Sequence, residues 1–205
     1  KGDKKFDAPT KNGLTRLARE VVTERDLMNL HGTFYELPAE NADGFAKVRP
    51  IASHNLAVHD FASYRGLFVL SGIAAGAAGK HIIRSDDGKA AVWVGAIDDL
   101  WTLGKPVGNG GAWDNTPVQA NEHSDPYLFG FYDKRSLSVS HNAGSDVAIA
   151  IQLDPSGTGD WVDYKTLDVK KGETLDFEFP KGLEARWIRF STNKTCTVTT
   201  QLRYD

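Results

Sequence analysis

The chain has 205 residues, 40% hydrophobic and 25% charged, with a net charge of −3 and one cysteine. No basic stripe exists to neutralise phosphates, which argues against a nucleic-acid partner. No apolar run reaches the roughly 20 residues that span a bilayer, and Cys196 has no partner for an internal disulfide. The length suits one large domain or two small ones. The segment "KGDKKFDAPTKNG" does not begin with Met and reads like the middle of a longer or processed chain.

Residues 14–28, "LTRLAREVVTERDLM", place Leu14, Leu17, Ala18, Val21 and Val22 on one helical face. The overlapping segment "VVTERDLMNLHGTFYELP" reads equally well as two short extended pieces. From Gly32 onward the pattern is β. Arg65-Gly66, between "LAVHDFASY" and "LFVLSGI", and Asp87-Gly88, ahead of "KAAVWVGAI", are tight-hairpin signals. After Asp125-Pro126 the rhythm becomes regular, with short strands separated by "NAGSD", "DPSGTGD", "KKGE", "PKGLE" and "TNKT". Leu175, Phe177 and Phe179 alternate with Asp176 and Glu178, and Trp187 and Arg189 alternate with Ile188 and Phe190. Such alternation marks antiparallel strands with one wet face. The expectation is an all-β chain: propeller-blade-like antiparallel hairpins over 1–126, with or without a short N-terminal helix, then a small β-sandwich over 127–205.

The runs "VWVGAIDDLWTLGKPVGNGGAWDNTPV", "SDPYLFGFYDKRSLSVSHNA", "IQLDPSGTGDWVDYKTLDVKKGE" and "ARWIRFSTNKTCTVTTQLRYD" resemble the C-terminal part of large bacterial proteins that join a β-propeller to a terminal β-sandwich. Those proteins are mostly uncharacterised and accompany polysaccharide-degrading systems. The resemblance covers residues 25–205. It implies that residues 25–126 are the last propeller blades, completed by a missing N-terminal part or a companion chain. It also implies an extended "ERDLMNLHG" and an extracytoplasmic setting.

Several groups of residues are candidates for chemistry. "GGAWDNTPVQANEHSDPY" lies at the expected seam, where loops from two bodies converge. There Trp113 offers a stacking face for a sugar ring, and Asp114, Asn115 and His123 offer hydroxyl partners. Arg49 and Arg65 are forks for the carboxylate of an acidic sugar. Trp93, within "AAVWVG", reads as core. His54 and Asp60, with His31, contain metal-ligand types but lack a ligand spacing, so no metal or other cofactor is assigned. Asp154, Ser156, Thr158 and Asp160 alternate as oxygen donors in a loop, without the full calcium-loop pattern. Cys196, two residues from Val198, is expected on a buried face.

Three functions follow as expectations. The first is a glycan-binding or assembly part of a secreted bacterial carbohydrate-processing protein. The second is a glycoside hydrolase or polysaccharide lyase with its site partly in residues 31–125, where two acids, or a base with an Arg, would have to converge. The third is a structural protein-interaction domain.

Overall fold

The computed structural model describes residues 16–21, 25–39 and 42–205. The chain is all-β, and its described residues form four antiparallel four-stranded sheets. It divides into two compact units, one ending at Val107 and one running from Gly108 to Asp205. Among the described residues no helix is long and apolar enough to cross a membrane.

Among the described residues the N-terminal unit holds eight strands: β1 Arg16–Val21, β2 Arg25–Leu30, β3 Thr33–Leu37, β4 Arg49–Ser53, β5 Asp60–Tyr64, β6 Leu67–Ile73, β7 Ile82–Arg84 and β8 Ala91–Gly95. The helical alternative over 14–28 is not the one adopted, since β1 and β2 pair antiparallel from Arg16↔Leu30 to Val21↔Arg25. The reason is tertiary. Leu27 and Asn29 alternate inward along β2, and packing on this sheet outweighs a weak helical preference. Leu14 and Val22, which belonged to the helical face, lie outside the described residues.

The first sheet is a sequential meander, β1-β2-β3-β4. The second has the order β5-β6-β8-β7, so β8 rather than β7 lies beside β6. Both hairpin signals are realised. Arg65 and Gly66 adopt φ of 50° and 80° between β5 and β6, and Gly88 has φ of 68° in the β7–β8 turn. At Arg65-Gly66 positive φ at both central positions matches the twist of the flanking strands, whereas the β7–β8 connection is longer, spanning residues 85–90. A shared aromatic core joins the two sheets: Phe34, Phe61 and Phe68 have ring centroids 5.5–6.1 Å apart, and Trp93 edges onto Phe68 at 6.2 Å. Trp93 is core, as its apolar run suggests.

The C-terminal unit is sandwich-like. Its strands are β9 Gly108–Val118, β10 Tyr127–Leu128, β11 Arg135–His141, β12 Val147–Asp154, β13 Val162–Val169, β14 Thr174–Glu178, β15 Trp187–Thr192 and β16 Cys196–Tyr204. One sheet has the order β10-β15-β12-β13 and the other β14-β11-β16-β9. Inward residues of both sheets form one core, including Ile149, Ile151, Ile188 and Phe190 from the first and Leu137, Val139, Val198 and Leu202 from the second.

The expected boundary at 126/127 moves to 107/108, because β9 is a strand of this unit and pairs along β16. The glycines that suggested a seam serve close strand packing instead. A Cβ on Gly111 would collide with the carbonyl of Thr200, and one on Gly110 with the hydroxyl of Tyr127. Cys196 is half-buried rather than buried; its Sγ lies 3.5 Å from the Lys194 carbonyl, and burial pushes the thiol pKa up.

Candidate functional site

The residues singled out from sequence divide between the two units. In the N-terminal unit they do not form one group. His54, which follows β4, is a largely covered histidine with both ring nitrogens engaged. The Leu56 N–H donates to Nδ1 at 3.1 Å, so Nε2 carries the hydrogen and donates to Asn29 Oδ1 at 2.9 Å. Its ring lies 5.0 Å from that of Phe34. Burial lowers its pKa from 6.5 to about 4.

Asp60, at the start of β5, accepts two hydrogen bonds from the Arg19 guanidinium, at 2.6 and 2.8 Å. That contact holds its carboxyl below the usual carboxylate range. Arg49 pairs with Glu36 across β3 and β4. Arg65 is exposed in the hairpin turn, with its guanidinium 5.4 Å from the Tyr64 ring. These four residues therefore serve separate local contacts. Of the other acids here, Asp98 pairs with Arg25, and Asp99 accepts the Ala96 N–H. Among the described residues no group of three or more His, Cys, Asp or Glu is arranged to hold a metal ion.

In the C-terminal unit, Trp113 is 6% exposed and packs in the core with its ring 6.1 Å from Phe190. This overturns the expectation of a presented stacking face. The polar neighbours have a structural role too. Thr116 pairs with Val198 and Trp113 with Thr200, so Asp114 and Asn115 together face Thr199 in a β-bulge. Asn115 takes φ of 51°, a left-handed conformation that asparagine tolerates, and its N–H donates to Thr199 Oγ1 at 2.8 Å. Asp114 and Asn115 are nevertheless exposed. His123 is exposed in the loop before β10, where its backbone bridges to Ser191.

The loop after β12 is organised by Asp154, which is 2% exposed. Its Oδ1 accepts the N–H groups of Ser156 at 3.2 Å and Gly157 at 2.8 Å, and its Oδ2 accepts that of Gly159 at 2.8 Å. Ser156, Thr158 and Asp160 then hydrogen-bond to one another at 2.6 and 2.7 Å. Asp154 thus folds its own loop. Asp154→Asn would turn an NH₂ group toward one of these donors. It is expected to cost about 1–3 kcal/mol in urea unfolding, the penalty for a buried donor left unmet.

A polar-aromatic row on the outer face of sheet β10-β15-β12-β13 was missed from sequence. Arg189 alternates with buried Ile188 and Phe190, so it points away from the core. In register, Gln152 on β12 faces Arg189 on β15 and Asp163 on β13. Arg189 Nε donates to Gln152 Oε1 at 2.7 Å, and Gln152 Nε2 donates to Asp163 Oδ1 at 2.6 Å. The half-buried Trp161 ring lies under the Arg189 guanidinium, 4.3 Å from centroid to Cζ. Trp187 shares the face, two residues along β15 from Arg189.

No family model and no curated protein matches the chain. The chemistry of this row must therefore carry the functional reading.

The row offers planar groups fixed in place. The amide of Gln152 is held from both sides, and the guanidinium is held by a ring and an amide. The Nη donors of Arg189 and the second oxygen of Asp163 point to no protein partner in this row, so hydrogen-bonding capacity remains beside an aromatic surface. The only sequence signal was the alternation that sends Trp187 and Arg189 to the wet face, an unusual place for a large aromatic.

Proposed function

We propose that the chain is the glycan-binding part of an extracytoplasmic bacterial carbohydrate-processing protein. Its contact surface is the outer face of sheet β10-β15-β12-β13. The observation that supports this reading is the Trp161–Arg189–Gln152–Asp163 row. Sugar rings present apolar C–H faces and a rim of hydroxyls. Trp161 and Trp187 supply aromatic surface, and Arg189, Gln152 and Asp163 supply donors and acceptors at fixed positions. The held side chains lose little freedom when a ligand binds, which favours affinity.

The N-terminal unit fits the same reading as propeller-blade material. Its first sheet is a four-stranded antiparallel meander, the unit from which propeller blades are made. The remaining blades would come from further chain or from a companion.

The test is a glycan array with the unmodified chain and with Trp161→Ala. Affinity for the bound glycan is expected to fall by about 1–3 kcal/mol, the range for a base stacked on an aromatic side chain. The melting temperature should stay close to that of the unmodified chain, because Trp161 lies outside the core. Undiminished binding by the variant, or no glycan bound by the unmodified chain, would sink the proposal.

A further inference from the structure

The N-terminal unit carries a cleft of about 380 Å³, lined by Leu56, His81, Ile82, Trp93, Thr102 and Leu103 among others. None of these residues takes part in the sugar-binding row. The volume is within the range of small-molecule sites, which are mostly apolar with a few placed polar groups.

Lys80, His81 and Thr102 are the polar side chains of the lining, and His81 is the one held in place by its neighbours. It immediately precedes β7, and its carbonyl accepts the Val94 N–H at 2.8 Å. Its Nδ1 lies 3.1 Å from the Val94 carbonyl oxygen. A carbonyl only accepts, so Nδ1 carries a hydrogen. Asp99 Oδ2 lies on the same edge of the ring, 3.9 Å from Nδ1, and is itself fixed by the Ala96 N–H at 2.7 Å. The imidazole also leans on the Trp93 ring, with centroids 4.9 Å apart.

Gly95 shows how closely this group is packed. A Cβ there would come within 2.7 Å of Trp93, 2.8 Å of Asp99 Oδ2 and 3.0 Å of His81 Nδ1. The backbone, the carboxylate and the indole together set the orientation and tautomer of His81. In the neutral ring this leaves Nε2, on the opposite edge, as a hydrogen-bond acceptor.

We propose that the cleft binds a small aromatic alcohol. Its ring would pack on Leu56, Ile82, Trp93 and Leu103, and its hydroxyl would donate to His81 Nε2. The acceptor demands a ligand that brings a donor. The walls are mostly apolar, with Lys80 and Thr102 as the other polar side chains of the lining, and the indole of the buried Trp93 behind His81 favours a small, flat ring. This inference stands apart from the glycan reading.

The test titrates the full chain with phenol and with anisole, which has the same ring but no donor, while the nitrogen resonances of His81 are followed by NMR. Phenol is expected to bind several-fold more tightly than anisole and to shift Nε2. His81→Phe keeps a ring against Trp93 and is expected to remove the difference. Equal affinities, phenol binding that leaves His81 unmoved, or no binding of either probe would each overturn the proposal. The phenol–anisole comparison on the unmodified chain stands whether or not the variant folds.

Discussion

Replacing Trp113 by alanine is expected to cost the C-terminal unit about 3–5 kcal/mol of stability, the range for a buried aromatic truncated in a core. The ring is 6% exposed and packs against Phe190 among residues of both sheets. Its removal leaves a cavity that rigid strands on either side cannot close. A loss of this size is a large fraction of the stability of a domain. The measurement is denaturant unfolding alongside glycan binding at a temperature where the variant is folded. Stability should collapse while binding at the outer face persists. A stable variant with lost binding would return Trp113 to the role of a stacking residue.

The second large effect is a dependence on acid. The folded chain holds His54 neutral, with a pKa of about 4 against an ordinary 6.5, because the ring is buried. Protonation would also remove the lone pair that accepts the Leu56 N–H. On unfolding, the ring takes up a proton at its ordinary pKa. The unfolded state therefore binds more protons, and stability rises with pH in this window. The contribution is complete above 6.5 and is lost as pH falls through the interval down to about 4, where the loss reaches about 3 kcal/mol at about 1.4 kcal/mol per pH unit. Urea unfolding at neutral pH and at pH about 4 measures it. His54→Leu should be less stable at neutral pH, since Asn29 and the Leu56 N–H lose their partner, but it should lose less on acidification. An identical acid loss in the two proteins would show that His54 does not carry it.

The regular strands were legible because their signal is local. Period-2 alternation in "TLDFEF" and "RWIRF" needs no knowledge of the rest of the chain, and the observed faces agree with it. The tight turn at Arg65-Gly66 and the longer hairpin connection around Asp87-Gly88 were legible for the same reason. The misreadings were non-local. Gly110, Gly111, Asp114 and Asn115 look like a linker because their purpose is to fit against Thr199, Thr200 and Tyr127. Helical spacing in "LTRLAREVV" lost to pairing across a sheet. The polar-aromatic row was hidden for a related reason. Trp161, Asp163 and Arg189 lie on the two sides of β12, and only its Gln152 brings them into one line.

The position of β16 between β11 and β9 also bears on how the molecule is made. Among the described residues Gly108 pairs with Tyr204, and Val118 with Cys196. While β9 to β15 emerge in order, β9 has no neighbour in its sheet, and β11 lacks one of its two. Closing such long loops slows folding, and waiting strands expose unpaired backbone meanwhile. The sheet is therefore assembled around its last strand, and a nascent chain stalled before residue 196 would hold one half of its sandwich open.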